Sequence, residues 1–215
     1  MRKLNLKSNT YPGKLIVFEG TDGAGKTTMI ALTQQLLEER YGKNNVLSIK
    51  QPTDMSRKTK LFQKMMYCKN HEDIDYRAVQ LLTMSDRVQH AFETIIPALK
   101  QGKIVICDRY IFTSLANMLG RGYRNEKWFY SVAKHLLRPD VSFLAYVPAD
   151  TAIGRIKTRP EECDRHLDEQ LLRNVSREFY DMARRENFTI LDTSRNPQYA
   201  FEVVKEKLGR EGIVV

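Results

Sequence analysis

The sequence predicts an α/β fold: a parallel sheet of five strands with helices on both faces. Three observations carry this. Short apolar runs of strand length alternate with stretches in which apolar residues recur every three or four positions. A Gly-rich turn joins the first run to the first helical stretch. No internal repeat and no Pro/Gly/Ser-rich linker interrupts the alternation, so one sheet takes all the strands.

Each element has its own reason. Lys14–Glu19 (KLIVFE) is an apolar run fit for a buried strand. After the Gly-rich turn, Thr27 to Tyr41 reads as a helix ended by Gly42. Val46 to Lys50 is a second strand, stopped at Pro52. From Arg77 to Leu99 the positions Ala78, Leu81, Leu82, Val88, Phe92, Ile95, Ile96 and Leu99 mark a long amphipathic helix, with a kink expected near Pro97. Lys103 to Cys107 is the third strand, Val141 to Val147 the fourth and Phe188 to Leu191 the fifth. Leu171, Leu172, Val175, Phe179 and Met182 mark a helix before the last strand, and Tyr199 to Leu208 a closing one. The division expected is an N-terminal extension, 1–13, and a single domain, 14–215.

Composition excludes several classes. With 42% hydrophobic and 28% charged residues, the chain is globular rather than disordered. No apolar run reaches the roughly 18 residues that cross a bilayer, so no membrane partner is expected. The 3 cysteines, Cys68, Cys107 and Cys163, form no C-x-x-C pair, which argues against a disulfide framework or zinc site and for a reducing, cytoplasmic location. A formal charge of +9 suits anionic partners, whether nucleic acid, anionic lipid or phosphorylated small molecules, and charge alone does not choose among them. No run of five Lys/Arg exists, which argues against a polybasic arm.

Three clusters carry chemistry. Gly20-Thr21-Asp22-Gly23-Ala24-Gly25-Lys26-Thr27, followed by Thr28, fits G-x-x-x-x-G-K-[ST] at every fixed position. Glycines let successive N–H groups turn toward phosphate oxygens, and the following helix adds its positive end. Lys26 then neutralises terminal phosphates, and the Thr27 hydroxyl can ligate Mg²⁺. Asp108-Arg109 follows the third strand at the ligand end of the sheet. Asp108 can hold Mg²⁺ through water, and Arg109 can clamp phosphate. Arg155, Lys157, Arg159 and Arg165 read as an exposed basic loop, a short lid over about 155–166 that supplies charge during phosphoryl transfer.

These residues carry a resemblance. Phe18-Glu-Gly-Thr-Asp-Gly-Ala-Gly-Lys-Thr-Thr28 resembles the opening of thymidylate kinases. So do Ser85-Asp-Arg-Val-Gln-His90 with Ile96-Pro-Ala-Leu99, Asp108-Arg-Tyr with Ser114-Leu-Ala and Gly120-Arg-Gly122, and Asp164-Arg165. The resemblance spans roughly Lys14 to Leu208 and implies a P-loop kinase that moves phosphate from ATP to dTMP with Mg²⁺, so the partners expected are nucleotides rather than nucleic acid. It further implies that Asp22 holds the acceptor's 3′-hydroxyl, Arg109 bridges both phosphates and Arg87 bonds the acceptor base. Thr83, Ser114 and Asn117 fall at further acceptor positions. Gly23 stands where one branch of the family has a P-loop arginine, so Arg155, Arg159 or Arg165 would supply the catalytic cation, in the order Arg165, Arg159, Arg155. Ser194-Arg-Asn-Pro197 falls where the donor adenine packs. Homodimers are common in the family, and the long helix's stripe fits either a dimer interface or a core face.

The departures lie mostly at the acceptor. Thr83 stands where the family usually has a Phe that stacks on thymine, Asn117 where an aromatic is common near the sugar, and Leu167 where an acid follows the lid. Lys50-Gln-Pro-Thr53 replaces Arg-Glu-Pro-Gly. Phe62, Tyr67 and Tyr76 are the nearest rings that could replace the missing one. Without such a ring, Thr83→Phe should tighten dTMP. Two other readings stay open at this point: a related phosphotransferase for another nucleotide, a modified nucleoside or a DNA base, and a nucleotide-binding regulator without turnover.

Overall fold

The computed structural model of the chain describes residues 3–67, 73–158 and 167–214. Five strands, β1 (Lys14–Glu19), β2 (Val46–Lys50), β3 (Ile104–Asp108), β4 (Val141–Tyr146) and β5 (Thr189–Asp192), form one sheet in the order β2-β3-β1-β4-β5. Every pairing is parallel. The expected strands are all present, with ends moved by a residue or so.

Alternation along each strand divides the core. Leu15, Val17, Val105 and Cys107 face one layer, built by α3 (Lys60–Tyr67), α4 (Tyr76–His90), α5 (Ile96–Lys100), α6 (Ile111–Gly120), α7 (Lys127–Ala133) and α9 (Glu169–Arg185). Ile16, Phe18, Ile104 and Ile106 face the other, built by α1 (Lys26–Tyr41) and α10 (Pro197–Arg210). The short α2 (Asp54–Arg57) and α8 (Ala149–Lys157) flank the ligand end. Residues before β1 also pack: Leu4 and Leu6 are buried, and the Leu4 N–H donates to Glu186 at 3.1 Å. No helix among the described residues is long and apolar enough to cross a membrane.

The long helix differs from its expected form in two ways. It is broken by a π-helical turn, Ala91–Ile95, in which the Ile96 N–H reaches Ala91 O. The irregularity therefore precedes Pro97, which opens α5. Proline tolerates a first turn because its missing N–H is not needed there. The inward face also takes only part of the apolar stripe: Ile95 and Leu99 are buried, and Leu82, Val88 and Ile96 pack against the core. Leu81 and Phe92 are 53% and 71% exposed, while Gln80, Thr83, Asp86 and Arg87 are buried. The inner side of this helix meets both a core and a cleft: Val79, Met84, Ile95 and Leu99 are buried in the core, while Gln80, Thr83 and Arg87 line the cleft, which apolar periodicity does not report.

The basic segment differs too. Arg155 and Lys157 belong to α8 rather than to a loop. Arg159 and Arg165, the other two lid cations, and the rest of the segment to 166 lie outside the described residues.

Candidate active site

β1 is central, and its register sets Phe18 opposite Asp108 on β3. The turn after β1 and the turn after β3 therefore leave the sheet side by side, at its carboxyl end. Within the first turn Gly20 and Gly23 have φ of 140° and 77°, and a Cβ at either would lie within 2.4–2.5 Å of a carbonyl oxygen, Ala145 O or Ala152 O. Only glycine fits these two places. The turn ends at Gly25, and no side chain caps α1. The free N–H groups of its first turn are thus available to an anion.

Lys26 is 7% exposed, and its Nζ donates to Gly20 O at 2.9 Å and Thr21 O at 2.8 Å. Burial, and then Arg109, push its pKa down to about 7. Thr27 and Thr28 are exposed toward the cleft. Arg109 holds the left-handed φ of 67°, rare for a residue with a Cβ and typical of functional turns. Its guanidinium pairs with Asp22 and donates to Gly20 O at 2.9 Å.

Asp108 lies beside them. Its Oδ2 is 3.7 Å from Lys50 Nζ, while its Oδ1 is buried without a hydrogen-bond partner. That orphaned oxygen and the Thr27 hydroxyl on the same cleft suit Mg²⁺. Among the described residues no group of three or more His, Cys, Asp or Glu could hold a metal. Mg²⁺ needs none, since it binds through one or two protein groups plus nucleotide phosphates and water.

The cleft has a volume of about 490 Å³ and runs from the Gly-rich turn to α4 and α6. At its far end Arg87 is 1% exposed; its Nη1 donates to Thr83 O at 3.0 Å and its Nη2 to Tyr110 O at 3.3 Å. Its Nε is buried and unpaired. Thr83 and Ser114 are buried, and the Thr83 hydroxyl donates within α4 to Gln80. Asn117 accepts from Arg121 at 2.8 Å, and the Arg121 guanidinium lies 4.0 Å over the Tyr76 ring. Phe62, Tyr67 and Tyr76 all line this end, so aromatic surface is present although Thr83 offers none.

Arg155 is elsewhere. It donates to Gly23 O at 3.3 Å and Thr193 O at 2.9 Å, beside a smaller pocket of about 290 Å³ that includes Thr28, Arg195 and Pro197. It sits behind the Gly-rich turn, next to the Ser194–Pro197 segment expected to face the donor base.

Three residues of the site escape the sequence patterns. Arg57, on α2, lines the cleft with its Nε bonded to Pro52 O at 2.6 Å. Its only sequence signal is a basic residue shortly after Pro52. Arg121 stands out in the sequence only as part of a Gly-Arg-Gly match, and Glu19 only as the end of a strand and a member of the Phe18–Thr28 stretch. Burial pushes the Glu19 pKa up to about 7, against the pull of Thr113 and Arg109.

The shifts of Glu19 and Lys26 set a pH profile. Glu19 adds stability that is complete below its ordinary value of 4.5 and lost as pH rises through about 7. Lys26 adds stability that is complete above 10.5 and lost as pH falls through about 7. Together they place a stability minimum of the nucleotide-free protein near neutrality, with full limbs of ~3 kcal/mol on the acid side and ~5 kcal/mol on the alkaline side. Urea denaturation from about pH 5.5 to about pH 9 checks this, and Glu19→Gln should remove the acid limb. Equal pH profiles for wild type and variant would rule it out.

The thymidylate kinase family profile matches residues 18–204. A Pyrococcus horikoshii protein named "Probable thymidylate kinase" is 39% identical over 150 residues, 68% of this chain and 71% of its own. The thymidylate kinase of Limosilactobacillus reuteri is 30% identical over 202 residues, 90% of this chain and 94% of its own. The crystal structure of thymidylate kinase from Ehrlichia chaffeensis superposes with a TM-score of 0.69 at 25% identity, covering 91% of this chain and 98% of that one.

Proposed function

The chain belongs to the thymidylate kinase family, and on that premise we propose that it transfers the γ-phosphoryl group of ATP to dTMP, giving ADP and dTDP. One observation of the site supports this above the others: a single cleft joins an uncapped helix start and buried lysine to a distant buried arginine, with the Asp22–Arg109 pair between them.

In this reading the N–H groups of Gly23 to Thr28 hold the ATP phosphates, and Lys26 turns from the Gly20 and Thr21 carbonyls onto them. Thr21 and Ala24 contribute through the loop's backbone. Thr27 and Asp108 would hold Mg²⁺, which neutralises charge on the phosphates. Arg109 meets acceptor and donor phosphates, released from or shared with Asp22, which takes the acceptor's 3′-hydroxyl. Arg57, half-buried and facing the same space, adds a second cation for the acceptor phosphate. Arg87, Thr83, Ser114 and Asn117 surround the acceptor base and sugar. Arg165 and Arg159 remain the proposed transition-state cations. Arg155, bonded to Gly23 O and Thr193 O, fits the donor-base side better.

The division into an extension, 1–13, and one kinase domain, 14–215, belongs to the same proposal. So does a cytoplasmic location, which suits the buried, unpaired thiol of Cys107. A homodimer is proposed on the exposed side of the long helix, where Leu81 and Phe92 lie bare; sedimentation velocity tests it.

ADP formation, measured with dTMP, other nucleoside monophosphates, nucleosides and single-stranded DNA as acceptors, tests the reaction. Turnover is expected with dTMP; turnover only with another acceptor would overturn it. The rings at the acceptor end also reverse the expectation for Thr83→Phe. Thr83 is 3% exposed, and stacking surface is already at hand from Phe62, Tyr67 and Tyr76. A new ring there overpacks the pocket, so KM for dTMP should rise ~10-fold or more. A lower KM in steady-state kinetics would show that the base lacked a stacking partner.

A further inference from the structure

Glu19 is a buried carboxylate beneath the site that the proposed reaction leaves without a task. It ends β1 and has no exposed surface. Its Oε1 accepts from the N–H groups of Tyr110 at 2.8 Å and Thr113 at 3.2 Å, and its Oε2 accepts from the Thr113 hydroxyl. All three donors belong to the start of α6, directly after Arg109. Thr113 Oγ1 in turn accepts from Arg109 Nη1 at 3.4 Å, and that guanidinium pairs with Asp22. One chain of contacts thus runs from beneath the Gly-rich turn to its lip.

We propose that Glu19 is a positioning residue for phosphoryl transfer, which, by fixing Thr113 and the start of α6, keeps the Arg109 guanidinium aimed at Asp22 and Gly20. The proposal rests on the function proposed above. The chemistry is directional. A hydroxyl has one proton, and Glu19, when ionised, can only accept. In that ionised state the Thr113 proton is committed to Glu19, and the hydroxyl's lone pairs are left facing Arg109. Arg109 needs such a hold, because its φ of 67° is unfavourable and persists only where the surroundings impose it. Burying a carboxylate is costly, and Arg109, Arg87, Thr113 and Tyr110 offset only part of that here. An apolar residue would pack the place more cheaply but would release the hydroxyl.

Glu19→Gln presents an amide in place of one acceptor, so the Thr113 proton can turn toward Arg109 and repel it. The expected result is a kcat lowered ~10–100-fold, with KM for ATP within ~3-fold, as for a reacting group displaced by about an ångström. Thr113→Val should lower kcat similarly, and Thr113→Ser, which keeps the hydroxyl, should recover most of that loss. The double variant Glu19→Gln/Thr113→Val should be no slower than ~3-fold below either single variant, because both break the same chain. Losses that multiply, or a kcat within ~3-fold of wild type in Glu19→Gln, would overturn the proposal. If Glu19→Gln does not fold by circular dichroism, the Thr113 pair decides alone: wild-type kcat in Thr113→Val overturns it.

A readout without turnover separates this from the function itself. In ¹⁵N spectra the Arg109 guanidinium, held at three points in wild type, should rotate faster in Glu19→Gln or Thr113→Val, where the contact to Thr113 is weakened or lost; equal behaviour in both overturns the positioning role. Should the acceptor panel find another substrate, dTMP fails as the acceptor while the same kcat comparison, run on that substrate, still decides Glu19.

Discussion

Lys26→Ala should lower kcat by ~10³ or more without unfolding the protein, because no other cation lies inside the loop to take the terminal phosphate charge. In the nucleotide-free chain Lys26 Nζ is held by two loop carbonyls, at 2.9 Å from Gly20 O and 2.8 Å from Thr21 O. Those carbonyls satisfy hydrogen bonds but do not balance a buried charge, and the pKa of about 7 expresses that imbalance. Phosphates supply the missing negative charge. The lysine is therefore a group whose burial disfavours the empty protein and favours the loaded one. Two measurements follow from one variant: turnover should vanish, and the melting temperature without nucleotide at neutral pH should hold or rise. Wild-type turnover in Lys26→Ala would remove the phosphate site from the Gly-rich turn. Asp22→Asn should behave differently, leaving ATP affinity nearly intact and weakening use of the acceptor.

Arg109→Ala should lower kcat/KM for the acceptor by ~10²–10³, and Arg109→Lys should restore little of it. The guanidinium makes contacts in two directions at once, to Asp22 through one nitrogen and to Gly20 O and Thr113 through the other. A lysine is a point charge and cannot keep both. The residue also spends backbone energy to stand there, with φ at 67°. Arg109→Gly relieves that strain and should be more stable than Arg109→Ala while equally inactive. Steady-state kinetics of the three variants beside their melting temperatures give the comparison; an active Arg109→Lys would mean that charge alone, not the fork, serves at this position.

Much of this site is legible in the amino-acid sequence. The spacing of Gly20, Gly25, Lys26 and Thr27 reports a local backbone shape, and local shape is what sequence encodes most directly. The runs of β1, β3 and β4 are legible because strands buried on both faces are apolar nearly throughout. Asp108 and Arg109 are legible from their place after a strand. Arg57 and Glu19 are not, since a single basic residue after a proline and a single acid ending a strand have many other uses. Thr83 is visible as a departure, yet its consequence is not. Whether Phe62 and Tyr76 reach the same space depends on how α3 and α4 pack, over separations no local pattern records.

Residue types at short spacing account for the sheet, the phosphate turn, the order of the elements and the resemblance to a kinase family. There φ preferences, side-chain period and burial act within one or two turns of chain. Packing in three dimensions settles the rest: which face of the long helix points inward, that Arg155 belongs to a helix behind the turn, and that Glu19, Thr113, Arg109 and Asp22 form one line of contacts. Their contacts join residues from 4 to 94 positions apart, three of the four contacts across 87 or more. The sheet's register sets where those residues meet, because β1 and β3 leave it side by side, and hydrogen bonds between distant residues have no signature in the spacing of either.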